Sequence, residues 1–174
     1  VHQSDLKKIG EVVGASQIGS LGRWEVKHVA LIKSVVCIPQ IYQALHDDDA
    51  PPSEQWEPTI HPLVGYVAIK EDDNLLGLAI VGRHSRIEWE VHNALLPGLG
   101  WKKRVATGRA FLQWLAECGC RRVIGKIPMP NRYAISYNKA IGFEVFGVDR
   151  KSFMKSGHLV DQIYMGICLP VGVA

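Results

Sequence analysis

Between Leu95 and Phe143 the chain reads LLPGLGWKKRVATGRAFLQWLAECGCRRVIGKIPMPNRYAISYNKAIGF, and no other stretch restricts the fold as much. An apolar strand end runs into a Gly-rich, basic turn. The turn opens a long amphipathic helix over Val105 to Cys118, with Phe111, Trp114, Leu115 and Cys118 at core spacing. Gly119 stops that helix. Arg122 to Pro128 has the character of a buried strand, and its place after a helix suggests parallel pairing with the strand before the turn. Asn131 suits the N-cap of a second helix, Arg132 to Ile141, which Gly142 ends. A helix opening after a strand offers backbone N–H groups and a positive dipole end to an anion. Residues 97 to 105 are therefore the first candidate for a bound phosphate.

The strands that feed this unit form a meander. Val64 to Lys70 and Leu75 to Arg83 are β-prone runs joined by the polar turn Glu71 to Asn74. A second turn at His84-Ser85-Arg86 leads to Ile87 to Leu95. There Ile87, Trp89 and Val91 share one face, and Glu88, Glu90 and His92 the other. Further upstream, residues 1 to 23 are rich in Gly and Ser, with Ile9 to Val13 as a candidate edge strand. Trp24 to Ile38 keeps helical spacing. Pro39 breaks that helix and opens a short one, Gln40 to Leu45. Four prolines between Ala50 and Pro62 make that segment a surface loop that can cover one edge of a site. Glu144 to Val148 and Val160 to Ile167 close the sheet, with Lys151 to His158 as the loop between them.

The 174 residues suit a single domain, 1–174, in which 1–62 form a helical N-terminal part with the Pro-rich loop and 63–169 form the sheet core. A net charge of +3 gives no reason to expect general polyanion binding. Trp101 beside Lys102-Lys103-Arg104 is the only aromatic–basic interleaving, which argues against a nucleic-acid partner. Cys37, Cys118, Cys120 and Cys168 lack zinc-site spacing, so reduced thiols in the cytoplasm are expected. No apolar run approaches the ~18–20 residues that span a bilayer.

The order meander, helix, parallel strand, helix with terminal Gly-Phe and two last strands resembles the GNAT superfamily of acyl-CoA-dependent N-acyltransferases. LQWLAECGCRRV is similar to that family's third helix and following strand, and NRYAISYNKAIGFE to its Asn-x-x-Ala…Gly-Phe helix. The resemblance covers roughly Leu63 to Leu169. It implies an α/β (α+β) fold: a mixed, twisted sheet of six to seven strands, helices on both faces, and a V-shaped splay between two central parallel strands. Prolines at 97 and at 128 and 130 place the divergence after about Ala94. EVHNALLPG, KIPMPNRYA and GVDRKSFMKSGHLVDQIYM resemble more narrowly the GNAT-like proteins of tailed bacteriophages, some of which are internal virion proteins.

The resemblance implies acetyl-CoA as cofactor and an amine as acceptor. Its pyrophosphate would lie on the turn from Gly100 to Val105, with Leu95, Gly100, Trp101, Lys102, Lys103, Arg104, Val105, Asn131 and Asn138 as cofactor-binding candidates. The family's Arg/Gln-x-x-Gly-x-Gly/Ala pattern is broken here. Anchored on the helix, the pattern puts Leu99 at its Arg/Gln position and Lys102 and Arg104 at its Gly and Gly/Ala positions; anchoring on Pro97 shifts the register by one, and neither register restores the glycines. The family's general-acid Tyr falls on Asn138, an amide with no proton to give a thiolate. Tyr137 is adjacent but turned about 100° away, the position of a core aromatic. Glu90, with Glu88 as fallback and His92 on the same face, is the candidate general base. Two functions follow from the resemblance: an acyltransferase using Glu90, Glu88 or Tyr137, or a fold kept for binding a phage or host protein, in the host cytoplasm or the virion.

Overall fold

Alternating apolar residues along hairpin-linked strands give a sheet with two buried faces. A computed structural model describes residues 10–12, 26–59, 61–72 and 74–170. The strands are β1 (Gly10–Val12), β2 (Val64–Glu71), β3 (Asn74–Arg83), β4 (Glu88–Leu95), β5 (Arg122–Pro128), β6 (Glu144–Lys155) and β7 (His158–Cys168). They form one sheet in the order β1-β2-β3-β4-β5-β7-β6. β4 and β5 pair in parallel and every other neighbouring pair is antiparallel. The helices are α1 (Val26–Val36), α2 (Pro39–Leu45), α3 (Trp101–Glu117) and α4 (Arg132–Ile141). Of the expected N-terminal elements, residues 1–9 and 13–25, including Ile9, Val13 and Trp24, lie outside the described residues.

Each face carries its own core. Trp89, Phe111, Leu115, Val123 and Met165 are buried where α3 and α4 cover the sheet. Ile32, Val36, Trp56, Tyr66, Leu78 and Ala94 are buried on the opposite face, under α1, α2 and the Pro-rich loop. Each buried Val, Leu, Ile, Phe or Met among them contributes about 1.5–3 kcal/mol through apolar burial. Successive residues of β4 thus divide cleanly: Trp89 and Leu95 point to the α3/α4 side, Ala94 to the α1/α2 side.

Three sequence expectations need correction. The long helix starts at Trp101, not Val105, with Gly100 as N-cap and Arg104 N–H already bonded to Gly100 O at 3.0 Å. Lys and Arg are good helix formers, and Arg104 also donates from its side chain to the carbonyls of Leu96 and Leu99, at 2.8 and 2.9 Å. The inward face of this helix is Thr107, Gly108, Phe111, Leu112 and Leu115, while Cys118 is exposed because the helix has already ended at Glu117.

The segment Lys151 to His158 is not a loop. β6 runs on to Lys155 and turns into β7 through Ser156 and Gly157, both with positive φ (53° and 74°). That backbone matches the twist of a two-residue hairpin. An irregularity between Asp149 and Phe153, with Lys151 at φ 50°, absorbs the extra residues.

The central splay opens earlier than expected. β4 and β5 pair only at Glu88↔Arg122, Trp89↔Val123 and Glu90↔Ile124. β4 nevertheless stays paired with β3 to Leu95, and β5 with β7 to Pro128. The prolines therefore do not cause the divergence. Each strand follows its outer neighbour, and the two half-sheets part after Glu90 rather than near Ala94.

The hairpin tip reaches back across this gap to the end of α2. Lys155 Nζ donates to the carbonyls of Gln43 and His46, at 2.6 and 3.1 Å. Gly157 N–H donates to the Asp48 carboxylate at 2.8 Å. Residues more than 100 positions apart in sequence are thereby clasped, and α2 is held beside the mouth of the splay.

Candidate functional site

Where β4 and β5 part, a slot of about 110 Å³ passes between them. Its edges are Val91 to Asn93 on one strand and Gly125 to Pro128 on the other. Ala44 and Leu45 of α2 flank it on one face of the sheet, and Asn131, Ala134, Tyr137 and Asn138 on the other. Because neighbouring strands no longer bond here, backbone groups along both edges are open to a ligand.

Two larger cavities adjoin the slot. One of about 490 Å³ shares Leu45, Asn93, Asn131 and Tyr137 with it and reaches the turn at Pro97, Gly98 and Leu99. The other, of about 410 Å³, shares His92 with the slot and lies over β2, β3 and β4 on the α1/α2 side. Shared lining residues place the three side by side, from the start of α3 to Glu90.

Among the described residues, three that line these cavities carry a buried polar atom with no hydrogen-bond partner: Arg83 Nε, Asn93 Oδ1 and the hydroxyl of Tyr137. An unpaired buried polar atom costs about 1–3 kcal/mol, so Asn93 Oδ1, in the wall of both the slot and the larger cavity, is a ready acceptor for a ligand N–H. The Tyr137 hydroxyl is turned onto Gly108 of α3. Burial raises the Tyr137 pKa and keeps the phenol neutral.

On the other side of the sheet a carboxylate is held between two imidazoles. Glu90 Oε1 lies 3.0 Å from His92 Nε2, and Glu90 Oε2 lies 2.9 Å from His84 Nε2. The hydrogen bond from His92 outweighs partial burial and lowers the Glu90 pKa. With Glu90 ionised, His92 Nε2 is the donor, so that in the neutral ring Nδ1 is the atom left with a lone pair.

His46, at the end of α2, completes this wall. Its Nδ1 lies 3.1 Å from Tyr42 O, so Nδ1 is protonated and Nε2 is the basic atom. The ring stacks on Tyr42 at 4.1 Å and meets Trp56 edge-on at 5.7 Å. Burial is the largest influence on it and lowers its pKa, so the ring is neutral.

The basic turn is less open than its sequence suggests. Arg104 is occupied by the turn's own carbonyls and lies over the ring of Tyr133, 5.8 Å from its centroid. Lys103 pairs with Glu71. Lys102 is exposed at the first turn of α3, beside Trp101, which packs edge-on against Tyr133. The first N–H groups of α3 have no carbonyl before them to bond, and Gly98 (φ 88°) gives the turn its left-handed step.

The sequence candidates therefore separate. Glu90, Leu95, Arg104, Asn131, Tyr137 and Asn138 line these cavities. Gly100, Trp101 and Lys102 stand at the start of α3, and Val105 packs against the α3-side core. Glu88 sits where β4 and β5 are still closed, with Arg122 Nε 3.4 Å away. Asn131 caps α4 by accepting from Ala134 N–H at 3.1 Å, and Asn138 donates to Ala134 O at 2.9 Å. Asn93, His46 and His84 were not found from sequence. Asn93 had only its place two residues before Leu95 to mark it; the two histidines arrive from other elements.

No protein-family model and no curated protein matches the chain. Solved structures do. Spermidine N-acetyltransferase from Vibrio cholerae, in complex with CoA and spermine, aligns with TM-score 0.65 at 13% identity over 84% of this chain and 93% of that one. A GNAT superfamily phosphinothricin acetyltransferase from Sinorhizobium meliloti, in complex with acetyl-CoA, aligns with TM-score 0.52 at 22% identity over 63% of each chain.

The chain has the GNAT fold.

yncA from Salmonella typhimurium, solved with acetyl-CoA, aligns as well, with TM-score 0.53 at 19% identity over 64% of this chain and 68% of that one. The mixed sheet, the parallel β4–β5 pair and helices on both faces are what the GNAT fold requires of this sequence. At these identities the likeness concerns the fold.

Proposed function

We propose that the chain is an acyl-CoA-dependent N-acyltransferase. The observation that carries this reading is the slot after Glu90, with a cavity at the α3 N-terminus on one side and the Glu90–His92 pair on the other. The structural neighbours solved with acetyl-CoA or CoA support it.

The residues present fit acetyl-CoA. The open edges of β4 and β5 and the orphaned Asn93 Oδ1 suit the amide groups of a pantetheine arm. Lys102 and the free N–H groups at the start of α3 suit a pyrophosphate. Arg104 holds the turn in shape from beneath. When bound, acetyl-CoA supplies an activated thioester. The chain's own part is to bring the acceptor amine to the β4 side of the slot and to take its proton at His92 Nδ1. Glu90 fixes the His92 tautomer and stabilises the imidazolium that forms. Tyr137 serves as a wall of the slot.

The test compares turnover with cofactor affinity. Glu90→Gln and His92→Ala should each lower kcat by ~10²-fold or more, with acetyl-CoA affinity changed less than about threefold. Unchanged turnover in both variants would remove this base.

A second reading keeps the fold for binding alone, as in a phage virion component or a modulator of a host protein. Arg104 Nε and Nη2 bonded to the turn's carbonyls and Asn138 Nδ2 bonded to Ala134 O favour it, since those donors are already used within the chain. Absence of acetyl-CoA binding would make it the better account.

A further inference from the structure

The acceptor class can be read from the floor of the cavity over β2, β3 and β4. Strand register arranges that floor as two rows, Val64–Gly82–Glu90 and Tyr66–Ile80–His92. All six residues line the cavity. The β2 side is apolar, the β4 side carries the charge, and the slot lies beyond β4. Two strand spacings of about 4.8 Å separate the apolar end from the polar one. Over the middle the cavity is open, because Gly82 has no side chain, and a β-carbon there would meet only Glu90 Cβ, at 4.0 Å.

The walls repeat this polarity. Trp56 and the neutral ring of His46 add flat surfaces, and Leu63 adds an aliphatic one. Among the described residues Glu90 is the only carboxylate in the lining, with the His84 and His92 imidazoles at its two oxygens, and Arg83 is the one permanent cation. One ammonium group is matched there. A second cationic centre on the same ligand would have no counter-charge and would lie against Tyr66 and Ile80, where burying it unpaired is costly.

We propose that this cavity is the acceptor subsite and that it takes a primary monoamine with a flat apolar body about 7–10 Å long, amine toward Glu90 and ring toward Tyr66 and Trp56. The inference rests on the transferase reading for its reaction but not for its binding. Gly82 sets the available depth, so a side chain at 82 fills the cavity without touching the turn or the slot.

The test is calorimetric titration of the whole chain with 2-phenylethylamine, spermidine and a glycyl dipeptide, with and without CoA. Phenylethylamine should bind at least tenfold more tightly than either competitor, and Gly82→Leu should weaken it at least tenfold while CoA binding is retained. Leu63→Lys, at an exposed rim position, provides a second variant should Gly82→Leu fail to fold, and it should weaken phenylethylamine at least threefold. Equal or tighter binding of spermidine or dipeptide, or phenylethylamine binding untouched by both variants, would overturn the proposal. Phenylethylamine binding without any CoA binding would uphold the subsite and remove the transferase reading.

Discussion

The phenol of Tyr137 occupies the space above Gly108 where a β-carbon would otherwise stand, and this contact sets how closely α4 approaches α3. Gly108→Ala would gain up to about 1 kcal/mol in helix propensity. The added methyl must displace Tyr137 and Ile141, which costs ~1–3 kcal/mol in a packed core. A net loss of stability in urea titration is therefore expected. Tyr137→Phe should be neutral or slightly stabilising, because the hydroxyl has no partner to lose. Combined, the two changes should couple by at least about 0.5 kcal/mol. The kcat of Tyr137→Phe should stay within about threefold of wild type, whereas loss of a general acid would cost ~10²-fold or more.

Arg104 and Lys102 are neighbours in sequence but have different work. Arg104→Ala leaves the carbonyls of Leu96 and Leu99 without their donor and should cost ~1.5–3 kcal/mol of stability. Lys102 is exposed, so Lys102→Ala should change stability by less than about 0.5 kcal/mol. The same Lys102 variant should weaken acetyl-CoA about tenfold, ~1.4 kcal/mol. Thermal unfolding with and without cofactor measures both effects.

His46 makes stability sensitive to acid. Its folded pKa lies below its unfolded value, since burial disfavours the cation and Lys155 and His92 add to this, against the opposing pull of Tyr42 O and Asp47. The folded chain therefore binds fewer protons than the unfolded chain below the ordinary histidine pKa of about 6.5. The His46 contribution is fully present above that pH and is lost as pH falls toward the folded value. His46→Phe should reduce the drop in urea midpoint between about pH 7.5 and about pH 5.5. An unchanged drop would place the acid sensitivity elsewhere.

Local signals carried most of the architecture. Alternation on Glu88 to Leu95 sorted Glu90 and His92 from Trp89, and Asn131 with Gly142 bounded α4 to the residue. What sequence could not show was set by contacts distant along the chain. The splay opens at Glu90 because β3 and β7 each hold one strand, a tug that no window on β4 or β5 contains. Arg104 reads as an anion-binding cation until its bonds to Leu96 and Leu99 are seen. His46 has no motif, and it reaches the cavity because Lys155, 109 residues later, grips its carbonyl. The strand through Lys151 to Lys155 was not legible, because the irregularity between Asp149 and Phe153 breaks the alternation that would have marked it.

The central claim, that the slot between β4 and β5 receives an acyl-CoA, is tested most directly by calorimetric titration of the whole chain with acetyl-CoA. Saturable one-to-one binding with a Kd of about 1–100 µM, some −8 to −5.5 kcal/mol, is the expected result. No heat and no thermal shift at millimolar acetyl-CoA would contradict it.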